Sequence, residues 1–444
     1  MKDDFTPTLE VSTASPGSSS SPSHRPRLIV VNPPELATVI DVGPTRLVLG
    51  RAPSTPAGRL AHPTVSREHL AVWRDSSGAL GVEDLGSRNG VSLDGAPRKV
   101  QGNLQIGGVL RLGDVVAVYE EVLGPETDPI PELPGSSAAM ARLRAGVWRA
   151  APSSAPVLIG GQTGTGKERV AQAIHRLSGR SGPFVAVNCA ELSPELFAGA
   201  LFGHERGAFT GAESARLGLI RSAQGGTLLL DEVGELAPEV QAKLLRVLEE
   251  REVLPLGASR PVAIDVRFLA STHRDLLEAV EGGAFRRDLY ARLGLHELLV
   301  PSLVERPSDI LEWLLRFVHE EELEAAASFA LDGSAAEWLL LRALPGNLRD
   351  LKALALRARA ADPGRRWSRH ALEALMPERS PPSKPALSAT PPGAPLKPPI
   401  PTKEELERLL AIHGSVRGTA KVLGRDRRQI YRWIEAFGLK RPLD

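Results

Sequence analysis

A glycine-rich segment at residues 161–167 is the first part of this chain whose residue types and spacing indicate chemistry. It reads Gly-Gln-Thr-Gly-Thr-Gly-Lys, follows an apolar run at 156–160 and opens a predicted helix. Backbone N–H groups of such a loop bind phosphate oxygens, and Lys167 can reach the β- and γ-phosphates of a nucleotide. Glu168 stands where the generic motif has a Ser or Thr that contacts Mg²⁺. The strand-to-helix context favours a nucleotide site over a chance glycine-rich turn.

Two carboxylates stand at the end of another apolar run. Asp231 and Glu232 directly follow Leu228–Leu230. Asp231 could hold Mg²⁺ and Glu232 could polarise an attacking water, because phosphoryl transfer depends on positioning and electrostatics around an in-line attack. A solvated acidic pair at a strand end is the alternative. Together with the glycine-rich segment upstream, it predicts a nucleotide-hydrolysing site.

Two further guanidinium groups, Arg286 and Arg292, lie in the segment 285–293. Guanidinium groups stabilise the charge of a γ-phosphate and often come from a neighbouring subunit. From spacing alone, arginines on an amphipathic helix more commonly face solvent. The two arginines are therefore candidates whose role depends on their context.

A hexapeptide at 207–212, Gly-Ala-Phe-Thr-Gly-Ala, lies between the glycine-rich segment and the acidic pair. Its two glycines permit the positive φ angles of a sharp loop, whose tip would carry an aromatic ring and a hydroxyl group. A partly buried turn is the alternative for a hexapeptide of this composition. The position between two phosphate-site segments favours a loop that contacts another molecule.

Length and composition limit the class of protein. A chain of 444 residues predicts roughly two to four domains, and 54 Lys and Arg against 53 Asp and Glu leave a net charge of +1 that favours no partner. Cys189 is the only cysteine, which excludes an intramolecular disulfide and a cysteine-rich zinc site, and we expect it in a core. Neither a signal-peptide core nor a bilayer-length apolar run is visible, so we expect a cytoplasmic protein with no membrane partner.

Low-complexity segments separate three predicted structured regions. The fold class that we expect is multidomain: a β-sandwich, then an α/β domain with a helical lid, then a small all-α helix-turn-helix. In chain order, the expected parts are a disordered tail (1–25), the β-sandwich (26–122), a linker (123–132), the α/β subdomain (133–304), the lid (305–376), a Pro-rich linker (377–402) and the all-α domain (403–444).

Short apolar runs underlie these expectations. The sandwich is predicted from β-rich runs bounded by turn residues at 28–31, 46–49, 70–73, 81–84 and 115–119. The α/β domain is predicted from continuous apolar runs, which suit a parallel sheet buried on both faces, at 156–160, 184–187, 227–230 and 266–270. After about residue 305 the pattern is purely helical, which predicts the lid.

Residues 133–376 resemble the AAA+ P-loop ATPase domain of bacterial enhancer-binding proteins, the activators of sigma-54 RNA polymerase. The segments that carry the resemblance are Gly164–Glu168, Asn188–Ala190, Phe202–Ala212, Gly226–Glu232, Phe285–Leu293 and Pro345–Leu351. Glu168 after the lysine is usual in this family, which removes the objection raised by the generic motif. Two departures are His273, where Asn is common after Thr272, and Leu344 in place of a frequent Trp.

The resemblance implies a ring, expected to be a hexamer, with ATP and Mg²⁺ between subunits. The residues that it assigns to ATP binding are Gly161, Gln162, Thr163, Gly164, Thr165, Gly166, Lys167, Glu168 and Arg349. Those assigned to catalysis are Asp231 (also Mg²⁺), Glu232, Asn188 (a switch that pairs with Glu232), and Arg286 and Arg292 (acting in trans). Those assigned to sigma-54 contact, in a loop that moves as the γ-phosphate is gained and lost, are Gly207, Ala208, Phe209, Thr210, Gly211 and Ala212.

Residues of the predicted sandwich suit a phosphate dianion. Arg51, Arg67 and the hydroxyl of Ser66 can bind phosphate oxygens. Asn89 can hold a peptide backbone, and Arg88 can assist. The domain resembles the forkhead-associated (FHA) fold, a phosphothreonine reader, through Gly50-Arg51, Ser66–His69, Asp84–Gly90 and Leu112–Asp114. The resemblance implies a phosphothreonine protein or a Ser/Thr kinase as the partner.

The C-terminal segment 403–444 carries ten Lys and Arg against six Asp and Glu. Two predicted helices, 416–423 and 427–436, fit a helix-turn-helix, with a charged, solvated helical hairpin as the alternative. The residues that could reach double-stranded DNA are Arg427, Arg428, Gln429, Tyr431 and Arg432. The segment resembles the Fis-type DNA-binding domain, although Ser415 and Thr419 differ from the usual Asn and Ala. The resemblance implies a dimer on an upstream palindromic site.

Together these features predict a sigma-54-dependent transcriptional activator that is controlled by phosphothreonine recognition. A phosphopeptide-regulated AAA+ remodelling ATPase that acts on a non-polymerase target is the alternative. A catalytically inactive scaffold is a third possibility, disfavoured because the chain carries the complete set Lys167, Asp231, Glu232, Arg286 and Arg292.

Overall fold

The computed structural model describes residues 25–98, 101–122, 128–191, 193–208, 214–319, 329–361 and 366–376, together with Leu406, Arg408 and Leu410. The chain divides into two units, Met1–Pro377 and Glu378–Asp444. The predicted tail up to residue 24, the Pro-rich linker and both predicted C-terminal helices lie outside the described residues. In the second unit the three described residues are helical, and Leu406 and Leu410 are buried. No helix within the described ranges is both long and apolar enough to cross a membrane.

The N-terminal region is a sandwich of two antiparallel sheets, as the sequence predicts. Its strands are β1 (Arg25–Asn32), β2 (Thr38–Asp41), β3 (Leu47–Leu49), β4 (Leu70–Arg74), β5 (Leu80–Asp84), β6 (Val91–Leu93), β7 (Ala96–Arg98), β8 (Gln101–Leu104), β9 (Val109–Leu112) and β10 (Val115–Val122). One sheet has the order β2-β1-β10-β9-β6-β7, and the other has the order β3-β4-β5-β8. The five predicted strands are present. The other five have short apolar stretches, interrupted by Gly, Pro or polar residues, that give a weak signal.

The next region is an α/β subdomain around a parallel sheet. Its elements are α1 (Ala138–Ala150), β11 (Val157–Gly160), α2 (Lys167–Leu177), β12 (Phe184–Asn188), α3 (Pro194–Phe202), β13 (Gly203–His204), β14 (Arg216–Leu217), α4 (Leu219–Ser222), β15 (Thr227–Asp231), α5 (Pro238–Glu250), β16 (Glu252–Val253), β17 (Val262–Ala263), β18 (Arg267–Thr272), α6 (Leu276–Glu281), α7 (Arg287–Leu293) and β19 (His296–Leu299). The sheet order is β12-β15-β18-β11-β19, with all neighbours parallel. The four predicted strands are confirmed, and β19 adds a fifth at the edge.

Both faces of this sheet are buried, because successive strand residues point to opposite sides. On one face Leu228, Leu230 and Phe268 pack in a core that includes residues of α3, α5 and α7. On the other face Leu229 and Leu269 pack with α1 and α2. The two layers fix the carboxyl ends of β11, β15 and β18 at one edge of the sheet, where the predicted phosphate-site residues lie.

The lid follows the α/β subdomain. It contains α8 (Ile310–His319), β20 (Ala330–Leu331), α9 (Gly333–Leu341), α10 (Leu348–Ala361), β21 (Arg366–Trp367) and α11 (Arg369–Leu375). The expectation of a purely helical pattern is wrong in one detail, since β20 and β21 pair in parallel. Two-residue strands are too short to give a periodic signal. Asp332 and Ser368 follow these strands and cap the N-termini of α9 and α11.

The sandwich and the lid share an apolar interface. The inner face of the six-stranded sheet supplies Leu110 and Tyr119 to the sandwich core. The outer face supplies Val109, Val116 and Val118 to the core of the lid. Helices α8 and α9 lie against β1, β9 and β10. The centre of this antiparallel sheet is therefore buried on both faces.

Candidate functional site

The glycine-rich loop joins β11 to α2 at the carboxyl edge of the sheet. Gly164 and Gly166 have φ angles of +76° and +103°, in the left-handed region that favours glycine. A Cβ at Gly164 would lie 2.2 Å from the carbonyl oxygen of Gly346 in the lid. No other residue fits there without moving the lid, so glycine is required by both the turn and the close backbone approach.

Lys167 begins α2 and is held under the loop. Its side chain is only 8% exposed, and its Nζ donates to the carbonyl oxygen of Gly161 at 3.0 Å. The same ammonium lies 3.5 Å from Glu232 Oε1. Backbone carbonyls and a carboxylate thus satisfy a buried positive charge at the start of a helix, where a phosphate is also favoured.

The acidic pair lies at the end of β15. Asp231 Oδ1 accepts a hydrogen bond from Ser271 Oγ on the adjacent strand β18, at 2.5 Å. Glu232 has a φ of +55°, a conformation that non-glycine residues rarely adopt. Such backbone strain is concentrated at functional sites, because the surrounding structure must enforce it. The strained turn directs the Glu232 carboxylate towards Lys167.

Glu232 is surrounded by donors. Its Oε2 accepts hydrogen bonds from His273 Nδ1 at 2.6 Å and from the His273 backbone N–H at 3.2 Å. Burial acts to raise the pKa of the Glu232 carboxyl, but the His273 hydrogen bonds and the charge of Lys167 outweigh it and hold the pKa below its ordinary value. Glu232 is therefore a carboxylate at neutral pH, which is the form that a base requires.

The expected pairing of Asn188 with Glu232 is not among the hydrogen bonds of the described residues. Asn188 ends β12, directly opposite Asp231 in the strand register. Its Oδ1 accepts from the backbone N–H of Ala190 at 2.9 Å. The switch role of Asn188 stays a prediction.

The lid contacts the glycine-rich loop through Asn347. This buried residue donates from Nδ2 to the carbonyl oxygen of Thr163 at 3.1 Å and to Gln162 Oε1 at 3.2 Å. Its Oδ1 accepts the backbone N–H of Leu303 at 2.8 Å. The next residue, Leu348, donates its N–H to Gly164 O at 3.0 Å. Sequence analysis quoted Asn347 only as part of a motif and gave it no role.

A second lid contact comes from Arg306, which sequence analysis also missed. This arginine is 1% exposed, and its Nη2 donates to the carbonyl oxygen of Thr165 at 2.9 Å. The Thr165 hydroxyl in turn donates to Gln162 O at 2.8 Å. The sequence signal was weak, since Arg306 lies between two short turns before α8 and its partner Thr165 is 141 residues distant.

A cavity of about 380 Å³ lies between the loop, the acidic pair and the lid. Its lining includes Thr163, Gly164, Lys167, Asp231, Glu232 and Arg349. Glu168 also lines it and accepts a hydrogen bond from Gln172 at 3.3 Å, one turn further along α2. The structure thus brings together most of the residues predicted for the nucleotide site.

Arg286 and Arg292 lie elsewhere on the same protomer. Each side chain is 47% exposed; Arg286 pairs with Asp288 at 2.7 Å, and Arg292 lies 3.9 Å from Glu249. Among the described residues that line the 380 Å³ cavity, neither arginine is included. Their role in trans stays a prediction.

The predicted contact loop is described only at its base. Gly207 has a φ of +82°, the positive angle expected there, and Ala208 donates its N–H to Glu205 O at 3.3 Å. Phe209, Thr210, Gly211 and Ala212 lie outside the described residues. The strands β13 and β14 flank the loop and pair antiparallel.

The phosphothreonine candidates meet at one end of the sandwich. Ser66 Oγ accepts the backbone N–H of Arg88 at 3.1 Å, and the N–H of Arg51 donates to Ser66 O at 2.8 Å. Asn89 Nδ2 donates to the carbonyl oxygen of Thr64 at 2.7 Å. These hydrogen bonds join three loops, whose exposed guanidinium groups belong to Arg51, Arg67 and Arg88.

His69 fixes the same loops from beneath. It is fully buried, accepts the N–H of Ser66 on Nδ1 at 3.1 Å, and lies 3.1 Å from Gly90 O through Nε2. Burial lowers the pKa of His69, so the neutral ring is favoured, with Nε2–H donating to Gly90. His69 is thus a structural residue that supports Ser66.

Cys189 lies behind the acidic pair. Its N–H donates to Asp231 O at 2.8 Å, and its side chain is buried in the sheet core, as predicted. Burial raises the pKa of its thiol, and the nearby carboxylates add to this shift. The thiol is an unreactive core group.

Comparison with known proteins distinguishes two domains. Residues 47–113 match the FHA domain family, and residues 133–299 match the sigma-54 interaction domain family. The chain contains an FHA domain followed by an AAA+ ATPase domain of the sigma-54 interaction class. The two matches account for the sandwich and for the parallel α/β sheet with its glycine-rich loop.

Relatives align mainly with the ATPase domain. The transcriptional regulatory protein GlrR of Escherichia coli is 50% identical over 205 residues, which cover 45% of this chain and 46% of that protein. The sigma54-dependent transcriptional activator SfnR of Pseudomonas putida is 47% identical over 228 residues, or 51% and 61% of the two chains. The solved structure of NtrX from Brucella abortus in complex with ATP is 32% identical, covers 69% of each chain and has a TM-score of 0.49. The chain spans about half the length of the first curated relatives that it matches.

Proposed function

We propose that this chain is a sigma-54-dependent transcriptional regulator that hydrolyses ATP to remodel the closed complex of sigma-54 RNA polymerase. In this proposal, the C-terminal segment binds double-stranded DNA upstream of the promoter. The FHA domain recognises phosphothreonine on a partner protein or kinase and controls the ATPase.

The proposal of ATP hydrolysis rests on one observation. The Glu232 carboxylate is held beside Lys167 by a strained turn at the end of β15. A base must be ionised and fixed near the reacting atoms, and the lowered pKa and the hydrogen bonds from His273 meet both requirements. The lid contacts the glycine-rich loop through Asn347, and its Arg349 lines the same cavity as this pair. These features support hydrolysis rather than nucleotide binding alone.

The residues of the cavity fit ATP and Mg²⁺. The loop N–H groups precede the start of α2, and Lys167 Nζ, which donates to carbonyl oxygens here, can donate to phosphate oxygens instead. Asp231 is the carboxylate proposed to hold Mg²⁺, an ion that prefers oxygen ligands and neutralises charge on the β- and γ-phosphates when bound. Arg349 is proposed to contact the nucleotide from the lid.

The proposed assembly is a hexameric ring with DNA-binding dimers. Arg286 and Arg292 would reach the ATP site of a neighbouring protomer, and their half-exposed side chains support this proposal. Asn188 lies one strand from Asp231 and would pair with Glu232 in another nucleotide state. The segment Gly207–Ala212 would contact sigma-54.

Recognition at the two ends of the chain relies on charge. Arg51, Arg67 and Ser66 would bind the phosphate of a phosphothreonine, with Arg88 and Asn89 assisting. The residues proposed to bind DNA are Arg427, Arg428, Gln429, Tyr431 and Arg432.

The test uses the full-length chain with Thr210→Ala as its key variant. We expect the wild type to bind sigma-54 in the presence of ADP with aluminium fluoride, and Thr210→Ala to hydrolyse ATP without binding or activating open-complex formation. An ATPase that never binds sigma-54 would replace this proposal with a remodelling ATPase of a non-polymerase target. A chain without ATPase activity would leave only the scaffold.

A further inference from the structure

The outer face of the six-stranded FHA sheet packs against the lid. The sandwich fold itself does not require this face to be buried. An antiparallel sheet commonly has one face on its core and the other in solvent. Here Val109, Val116 and Val118 on the outer face are at most 1% exposed, since they pack into the lid core. On the lid side, Ala335 and Leu339 of α9 are fully buried in the same cluster.

Charged groups fix the register of this interface. Glu337 of α9 is 7% exposed, and its two carboxylate oxygens bind the sandwich. Oε2 accepts Arg111 Nε at 2.7 Å, and Oε1 accepts the Gly95 N–H at 3.2 Å. A buried carboxylate needs such partners, so separation of the two domains would leave it to be solvated again.

A second buried carboxylate connects the sandwich to the ATPase domain on the far side of the same face. Glu120 of β10 is 5% exposed. Its Oε1 accepts Ser308 Oγ at 2.5 Å, and its Oε2 accepts the N–H of Ala138 at the start of α1 at 3.0 Å. The interface therefore has an apolar centre with an ion pair on one side, at Glu337, and hydrogen bonds to a buried carboxylate on the other, at Glu120.

The turn at Gly113–Asp114 connects the phosphothreonine loops to this interface. The backbone N–H of Asp114 donates to Thr64 Oγ1 at 2.9 Å, and Thr64 O accepts the amide of Asn89. A Cβ at Gly113 would lie 2.5 Å from Thr64 Oγ1, so the turn and the loop are in close contact. Movement of the loop that carries Ser66 would thus act directly on Asp114.

The other side of Asp114 binds the lid. Its Oδ1 accepts the N–H of Gly333, the first residue of α9, at 2.9 Å, and its Oδ2 accepts Arg366 Nη2 at 2.7 Å. A Cβ at Gly333 would lie 2.6 Å from the Cα of Asp114. Helix α9 leads within six residues of its end to Asn347, which binds the glycine-rich loop.

We propose that the outer face of the FHA sheet is a docking surface for the lid of the same chain, and that Asp114 couples phosphothreonine binding to nucleotide binding. The second part of this proposal, the coupling through Asp114, rests on the proposed phosphothreonine site. Coupling of binding sites is reciprocal, so a phosphopeptide and a nucleotide each change the affinity of the other by the same factor. The route is short and contiguous: Thr64, Asp114, α9 and then Asn347.

Charge reversal tests the docking surface without a phosphopeptide. In full-length protein, Arg111→Glu and Glu337→Arg would each place like charges together, and we expect amide hydrogen exchange in β9 and α9 to rise by about tenfold or more. The double reversal restores the pair and should restore the protection. Glu337→Gln keeps the shape of the side chain and should give an intermediate rise, which serves if a reversal variant fails to fold. Unchanged exchange in Glu337→Gln and in the folded reversal variants would overturn the docking proposal.

The coupling is tested with a phosphothreonine peptide selected from a degenerate library on the full-length chain. We expect saturating peptide to change the affinity for a fluorescent ATP analogue by about fivefold or more, the usual range of coupling. Asp114→Ala keeps the backbone N–H that binds Thr64 but loses both lid contacts, so the peptide should still bind while its effect falls below about twofold. Asp41→Ala is the matched control, because it removes an exposed acid whose ion-pair partner, Arg27, also belongs to the sandwich. This variant should behave as wild type.

The outcomes separate this inference from the proposed function. A chain that binds no phosphothreonine peptide would refute the proposed reader role and the coupling with it. Peptide binding with no change in nucleotide affinity would leave the reader role standing and refute the coupling alone. An equal effect in wild type and Asp114→Ala would show that the turn is not the route.

Discussion

The loop at 161–167 and the loops around Ser66 are both proposed to receive a phosphate, yet they hold their positive charges differently. Lys167 is 8% exposed and is bound by carbonyl oxygens and Glu232. Arg51 and Arg67 are exposed, and their loops are fixed by backbone hydrogen bonds and by buried His69 instead. One site holds a buried, fixed charge at a cavity, and the other presents exposed charges on loops that are fixed from beneath.

This difference follows from what each site is proposed to do. Hydrolysis requires charges that are fixed and shielded from water where negative charge develops. Recognition of a phosphopeptide requires hydrogen bonds between charged groups and rapid access from solvent. The contrast between Lys167 and Arg67 therefore predicts different sensitivities to mutation and to salt.

The largest expected effect concerns the base. Glu232→Gln keeps the size of the side chain but removes the proton acceptor, so ATP turnover should fall by about 10²- to 10⁴-fold. Phosphopeptide affinity in the same variant should stay unchanged without nucleotide. Steady-state turnover and peptide titration check both parts. Near-normal turnover would contradict the assignment of the base.

A smaller effect is expected from the lid contact. Asn347→Ala removes two hydrogen bonds to the loop and leaves the buried Leu303 N–H without its acceptor, which should cost about 1–3 kcal/mol in nucleotide binding or lid stability. Nucleotide titration measures the loss in binding, and thermal unfolding measures the loss in stability. Asn347→Gly is the matched control, because it loses the same contacts but suits the φ of +50°. If both variants bound nucleotide as wild type does, Asn347 would have no role in forming the site.

The surface site should depend on Ser66. Ser66→Ala removes a hydroxyl that can donate to the phosphate, and phosphopeptide affinity should fall by about tenfold. The ATPase rate without peptide should remain near that of wild type. A threonine substitution, which keeps the hydroxyl, should retain more of the affinity. Equal binding by the alanine variant and wild type would argue against phosphate contact at Ser66.

The smallest expected effect is a difference between the two sites in how strongly ionic strength weakens ligand binding. Exposed charges are screened by salt more strongly than buried ones. An increase in ionic strength of about tenfold should therefore weaken phosphopeptide binding several times more than binding of ATP. Parallel titrations at two salt concentrations measure this ratio, and a ratio of one would remove the distinction between the sites.

The catalytic motifs could be predicted because each is local in sequence. The loop that contains Lys167 follows β11 directly, and Glu232 directly follows β15, so each could be assigned from the apolar run before it. Asn347 could not be assigned in this way, since its partner Gln162 is 185 residues distant. No periodicity of its own segment indicates a contact between a lid turn and a distant loop.

The buried outer face of the FHA domain had a signal that was not used. Residues 115–119 read Val-Val-Ala-Val-Tyr, an unbroken apolar run where a half-exposed antiparallel strand would alternate. The run predicts burial on both faces of β10. It cannot identify the covering elements, because α8 and α9 begin only at Ile310 and Gly333 and their placement depends on the tertiary fold.

The single buried thiol has a practical consequence for experiments on this chain. Cys189 is 5% exposed and has a raised pKa, so it should resist maleimide and iodoacetamide reagents while the sheet is folded. A cysteine introduced at the 207–212 segment, or on α9, would then carry a fluorophore or spin label without removal of the native one. Distance changes during ATP turnover could be followed in an otherwise unaltered protein.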